Sequence, residues 1–559
     1  MSNPIQVPPE TNSHLALNHL QQFKWFYYAM VLLIFIIIRV NAWSNVSVLE
    51  DHDSAHYLRI IKTFQSLDLD KIWNLSPDDT FFYPIFETIF AMPGWSYEFS
   101  GRLTSFVFAI GIFILIILIG EKISNVEAVL ISLLFFTFNP FFIPFSFGVL
   151  TEPSYIATIY LGLYLYLKKY RNPSVMNAII LGFVFALGFL NRTEGILFIA
   201  IVPGIQLIHF LFFRNGEYNF SKYLSWSLTY IFIFSLLASP QIYRVSDKIG
   251  TFALNGRQVW MAMLKNPDGK SYEEKKHGLD YSPKQINLTY LQTHPEAYKK
   301  LESSGDVKNI IKLFMDEVSK LQQFQLSSLL GAFVLIFFGI GLISLFNQKL
   351  FFEVTLILLL IIVSLVPSAM HDVDFRHIAI IAPIMILVAG IGVVFLSNEI
   401  TNNISSQKLA NFLKGKLSFV LLLVSILTSF SSLNSAVKNP TKNDEYVPKD
   451  YYKPIEIIRE NIKKNSLINP ILVSRKSYFA YMSNLPPLEI AFTDYDGLLK
   501  YCDLNNISYL FLDYKNIKDY PFLSRFEKGN TPHFEKIYSG TDSFGFKIEL
   551  YKFLNIHVF

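Results

Sequence analysis

The stretch 50-EDHDSAHYLRIIKTF-64 sets three carboxylates and two histidines within seven residues, with a tyrosine directly after. A carboxylate in such a place can take the proton of a hydroxyl. Asp51 and Asp53, flanking His52, have the oxygen ligands and spacing for a divalent cation such as Mg or Mn. If 48–64 is helical, Asp53 and Tyr57 lie four apart on one face with Glu50 on the same side. A structural reading stands beside this one. Ser47 with Glu50 has capping-box spacing, and Asp51 or Asp53 can cap a later helix start.

Other ionisable groups repeat the pattern. Glu152 follows Thr151 and precedes Pro153, Arg192 and Glu194 share one turn, and His371, Asp372, Asp374, Arg376 and His377 crowd another. Guanidinium forks match phosphate oxygens, which makes Arg102, Arg192 and Arg376 candidate phosphate holders. Arg257, with Arg244, borders a large loop and is a further candidate. Glu152 is either a second carboxylate of a site or an acid that complements a helix N-terminus. Arg192 and Glu194 are either site residues or a bridge to each other.

The elements that carry these residues are membrane helices. The chain has 559 residues, 52% hydrophobic and only 16% charged. Long apolar runs recur at 25–43, 103–120, 126–146, 149–167, 175–191, 195–213, 224–243, 326–346, 350–369, 375–396 and 416–433. Each approaches the ~20 residues that cross ~30 Å of hydrocarbon. The expected fold is a polytopic α-helical membrane protein with about eleven transmembrane helices, up to about thirteen if neighbouring runs divide. The first run is too long for a signal-peptide core and is read as a retained helix. A net charge of +4 argues against nucleic acid as a partner, and the single cysteine, Cys502, excludes an internal disulfide.

Lysine and arginine gather in alternate short loops, at Lys122, Lys168, Lys169, Arg171, Arg214, Lys222, Lys349, Lys408, Lys414 and Lys416. This places the N-terminus in the cytoplasm. The loops 44–102 and 244–325, the turns near 192 and 371–377, and the C-terminal region then lie outside. The ionisable groups at helix ends all fall on that outer side, which points to a polar cavity opening outward. Residues 1–433 form the membrane domain, with outer-face loop helices. From 434 to 559 the pattern changes to strand-length apolar runs (470–474, 507–513, 546–553) between helix-like segments (453–464, 494–504). This predicts a small extracytoplasmic α/β domain.

The order of features resembles a known family. An acid after the first helix is followed four positions later by tyrosine, in 53-DSAHY-57. A proline-rich entry and an arginine–leucine pair follow in 83-YPIFETIFAMPGWSYEFSGRLTS-105. Then come Thr-acid-Pro in 139-NPFFIPFSFGVLTEP-153, Arg-x-Glu-Gly in 191-NRTEG-195, and an arginine before a proline-bearing helix in 375-FRHIAIIAPIMILVAGIG-392. Together these resemble the glycosyltransferase-C superfamily, in particular its bacterial branch of aminoarabinose lipid A transferases, related to protein O-mannosyltransferases. The resemblance implies transfer of a sugar from a polyprenyl-phosphate carrier to an acceptor hydroxyl of a glycolipid, polysaccharide or protein at the outer face of a cell membrane, bacterial by this branch. It makes Asp53 the general base, Glu152 the second carboxylate, and Tyr57, Arg102 and Arg376 substrate contacts. Arg192, Glu194 and Arg257 join them as candidates from the residues themselves. Ser54 stands where the aminoarabinose branch has a second acid, and Glu152 where it has aspartate, so sugar and acceptor stay open. Asp51–Asp53 also has the spacing of the metal-binding Asp-x-Asp of some sugar transferases. Two other classes compete. A transporter of lipid-linked sugars would place charges near the midplane of paired halves. An O-antigen-type polymerase or ligase would rely on arginines and histidine in large outer loops.

Overall fold

Apolar runs become helices here because a chain in lipid must satisfy its backbone groups within each segment. The computed structural model describes residues 20–43, 52–73, 75, 79–169, 173–212, 220–249, 252–254, 330–370, 379–413, 416–428, 432–434, 451–465, 470–475, 477–485, 487–488, 490, 495–517, 520, 522–542 and 545–554. The longer helices are α1 (Lys24–Trp43), α2 (His52–Gln65), α3 (Phe82–Ala91), α4 (Tyr97–Ile123), α5 (Val126–Phe138), α6 (Glu152–Lys169), α7 (Val175–Asn191), α8 (Phe198–Phe212), α9 (Phe220–Ile249), α10 (Ala332–Asn347), α11 (Phe351–Met370), α12 (Ala382–Asn402), α13 (Gln407–Leu413) and α14 (Lys416–Thr428). Each of the eleven apolar runs overlaps one of them. Among the described residues, five segments, at α1, α4, α8, α9 and α12, are both long and apolar enough to cross a membrane. The chain is a multi-pass membrane protein.

Two runs end differently from expectation. The run 126–146 breaks after Phe138, because the Asn139 side chain accepts the Phe141 amide at 3.0 Å and Pro140 cannot continue the helix. The run 149–167 becomes helical only at Glu152. Arg39, in the middle of an otherwise apolar α1, explains part of this turn. It is fully buried and donates to the carbonyls of Thr137 (2.8 Å) and Phe136 (3.3 Å) and to Ser146 Oγ (3.0 Å). A cation at the carbonyl end of α5 complements that helix's dipole.

Helix α12 runs through the core, almost wholly enclosed. Small residues allow this, as lipid-embedded helices associate by close backbone approach. A Cβ on Gly392 would lie 1.9 Å from the Phe337 carbonyl oxygen of α10, and one on Gly341 2.0 Å from the Val388 carbonyl oxygen. At its entrance, the Tyr160 hydroxyl of α6 donates to the Ile380 carbonyl and accepts from the Ile384 amide, both at 2.8 Å.

Residues 451–554 build α15 (Tyr452–Asn465), α16 (Ser477–Ser483), α17 (Tyr495–Leu504) and a five-stranded sheet of β1 (Ile471–Val473), β2 (Pro487–Leu488), β3 (Ile507–Asp513), β4 (Phe534–Thr541) and β5 (Lys547–Phe553). The order is β2-β1-β3-β5-β4, parallel from β2 to β3 and antiparallel through β5 and β4. One apolar core joins this unit to the helices after α1. Ala55, Leu58 and Ile61 of α2 and Tyr83 and Ala91 of α3 pack with Ile455, Ile458, Leu472, Phe479, Ala480, Phe511 and Leu550.

Candidate active site

Helix α2 begins at His52, later than a helix over 48–64 would, and Asp53 occupies its first turn. The Asp53 side chain and residues Asp51, Arg257, His371, Arg376 and His377 lie outside the described residues. The Tyr57 ring stands edge-on to Tyr83 of α3, with centroids 5.5 Å apart. Tyr83 is itself fixed through its hydroxyl, which bonds Ser105 Oγ at 2.9 Å and the Gly101 carbonyl at 3.2 Å.

His56, one turn beyond Asp53, bonds the carboxylate of Asp79 through Nε2. Asp79 is 3% exposed, and its backbone is held as firmly as its side chain. Its carbonyl accepts from Arg244 Nη2 at 2.6 Å and Gln241 Nε2 at 2.9 Å, both on α9. Arg244 also donates to the Leu75 carbonyl at 2.9 Å and lies over the Phe81 ring. Arg244 is thus a structural clamp on the 75–81 segment.

The next residue carries the connection onward. Thr80 Oγ1 donates to the Asn191 carbonyl at 2.8 Å, Asn191 Nδ2 to Ser154 Oγ at 2.7 Å, and Ser154 Oγ to the Thr151 carbonyl at 2.8 Å. This chain leads to the second ion pair. Glu152, buried at the N-terminus of α6, accepts from Arg192 Nη1 at 2.5 Å. Arg192 Nη2 reaches Glu194 at 3.2 Å, and its guanidinium sits 6.0 Å above the Tyr155 ring. Glu152 thus meets the α6 dipole, as an acid at a helix N-terminus does, and is also paired with Arg192. Breaking so buried a pair from one side leaves a charge without its partner, typically at about 3–5 kcal/mol.

The structure thus brings Glu152, Arg192 and Glu194 into one cluster and ties it to the α2 segment through Asp79–Asn191. Arg102 lies elsewhere. It donates to the Trp43 carbonyl at 2.8 Å and stacks over the Trp43 ring, locking the end of α1. The sequence reading gave no role to His56 or Asp79. His56 stood in the opening stretch, but its partner lies 23 residues away in a polar loop. All these groups cluster at one end of the bundle, since the opposite end of α1 is marked by Lys24, bonded to Glu121 at the far end of α4 at 2.8 Å. Among the described residues, no three His, Cys, Asp or Glu side chains gather to hold a metal ion.

No family model matches the chain, and no curated protein matches it by sequence. Solved structures do match. An archaeal oligosaccharyltransferase, AglB from Archaeoglobus fulgidus, in complex with an inhibitory peptide and a dolichol-phosphate, aligns with 94% of this chain and 74% of its own at 12% identity and a TM-score of 0.57. ArnT from Cupriavidus metallidurans aligns in the apo state with 96% of this chain and 98% of its own, at 9% identity and a TM-score of 0.53. The same protein bound to undecaprenyl phosphate gives 10% identity and a TM-score of 0.51. At such identities the likeness speaks to architecture, and it spans the membrane helices and the C-terminal sheet alike. The chain shares the fold of these two proteins.

Proposed function

We propose that the chain is a membrane glycosyltransferase that moves a sugar from a polyprenyl-phosphate carrier to an acceptor hydroxyl at the outer face of a cell membrane. The observation that supports this most is the shared fold with structures holding dolichol-phosphate and undecaprenyl phosphate, over nearly the whole chain. The helix that follows the first span, with Asp53 in its first turn, supports it further. The acceptor oxygen attacks the anomeric carbon of the sugar as its proton passes to the Asp53 carboxylate. The bond from that carbon to the phosphate oxygen breaks, and polyprenyl phosphate leaves. Phosphate is stable as an anion, so the step needs a base for the acceptor and cations for the phosphate rather than a strong acid. Glu152 serves as the second carboxylate, held by Arg192, and Tyr57 lines the sugar side. Arg376 and Arg257 remain candidates for the phosphate, and a divalent cation at Asp51 and Asp53 is compatible with the chemistry.

The test is Asp53→Asn in full-length protein, assayed in membranes with a panel of labelled polyprenyl-phosphate sugars. Transfer should fall by about 100-fold or more with the protein still folded and inserted. Full activity in the variant removes Asp53 from the mechanism. Absence of transfer by the unaltered protein from every donor shifts the reading to a transporter or polymerase.

A further inference from the structure

Helix α3 is inside out for a helix in water. Its polar side chains face the protein: Tyr83 and Glu87 are fully buried and Thr88 nearly so. The side chains it leaves exposed are Ile85 and Ile89, and the turn that follows adds Met92 (69% exposed) and Trp95 (46%). Ile85, Ile89 and Met92 are spaced four and then three apart, which puts them on one face. Helix α2, packed against α3, is built the other way round, with Ala55, Leu58 and Ile61 buried and Arg59 and Lys62 exposed. A helix beside water turns its polar groups outward, and a helix beside lipid turns its apolar groups outward. The boundary between the two media therefore falls between α3 and α2.

The apolar face continues a surface that already meets lipid. Phe82 and Phe86 of α3 pack on Phe108, within the span α4, with ring centroids 6.1 and 5.1 Å away. Trp95 stands edge-on to Phe99 at 5.1 Å, and Phe99 in turn meets Trp43, the last residue of the span α1, at 5.9 Å. Tryptophans gather where hydrocarbon gives way to headgroups. Trp43 and Trp95 thus mark one level, and α3 lies between that level and Phe108, on the hydrocarbon side.

We propose that the exposed face of α3 and the turn after it form a lipid-binding surface, seated about 5–10 Å into the headgroup and acyl boundary of the leaflet at the Trp43 end of α1. Its occupant is the bilayer itself. Helix α2 then rests on a lipid-seated platform, with the Tyr57–Tyr83 contact at the junction. The inference goes beyond the sugar-transfer reading and does not depend on it.

The experiment uses full-length protein in nanodiscs, with Ile89→Cys and Met92→Cys each labelled with a nitrobenzoxadiazole fluorophore; the native Cys502 is buried. Ile114→Cys, at an exposed position of the span α4, is the lipid reference, and Lys62→Cys on α2 is the water reference. Lipids carrying a nitroxide on the acyl chain should remove most of the emission from positions 89 and 92, as from 114. Aqueous iodide should remove it only from 62. Both test positions are exposed, so the unfolding temperature of the parent should be kept, and either one suffices. Iodide quenching at 89 and 92 to the extent seen at 62 would show that the face stands in water. Quenching by neither agent would show that another protein segment or a second subunit covers it. Either result overturns the assignment.

Discussion

The Glu87 carboxyl is fully buried on α3, one turn beyond Tyr83, and neither oxygen has a hydrogen-bond partner among the described residues. Gly101 makes the room, since a Cβ there would lie 2.9 Å from Oε1. Burial pushes this carboxyl well above its usual range, and the Tyr83 hydroxyl nearby offsets only part of that. The sign of the pH effect follows. Above pH 4.5 the unfolded chain releases the proton and the folded chain keeps it, so stability falls as pH rises, by about 1.4 kcal/mol per unit until the folded group titrates. Glu87→Gln is neutral at every pH and should flatten this slope above pH 4.5, read from thermal unfolding in detergent. Equal slopes in the two proteins would show that Glu87 is ionised in the fold. Legibility at this scale divides by sequence distance. Glu152, Arg192 and Glu194 were visible because each marks a helix end. Asp79 and Glu87 were not, because a loop charge and a lone acid in an apolar run acquire meaning only from neighbours far along the chain.

At the scale of elements, α12 illustrates why apolarity locates a helix more readily than it locates contacts. Among the described residues, the five segments long and apolar enough to cross a membrane each fall on one of the runs, since the 20-residue apolar signal needs no knowledge of neighbours. Their ends moved where Asn139, Pro140 and Glu152 rewrote them. Strand β4 went unread because only its first residue is buried and the rest of the short mixed run is exposed or half-buried, unlike the nearly uniform burial of β3. The glycines of α12 carry the element's own prediction. Gly392→Val would drive a side chain into the Phe337 carbonyl and part α10 from α12. We expect a loss of about 1–3 kcal/mol, seen as a lower unfolding temperature, and reduced transfer because Tyr160 couples the α12 entrance to α6. An unchanged unfolding temperature would mean that the two helices pack less closely than described.

For the whole molecule, the decisive feature is the core shared by α2, α3 and the C-terminal sheet unit. The sequence showed a small α/β region without showing where it sits, because the contact joins residues some four hundred positions apart. Phe479 stacks on Phe511 with ring centroids 3.7 Å apart, inside this core. Phe479→Ala should cost about 3–5 kcal/mol locally. If the core is one unit, hydrogen exchange should accelerate in α2 (His52–Gln65) as well as in the sheet, while α12 stays protected. Faster exchange in the sheet alone would show that α2 stands independently. The order of synthesis gives this shared core a further consequence. Helix α2 leaves the ribosome early, but part of its apolar packing belongs to residues 451–554, which are made some four hundred positions later. Until the final strand pairs, the helix that carries Asp53 has nothing to rest on along one side. On the function proposed above, a protein that ends before residue 451 should insert into the membrane and show no sugar transfer.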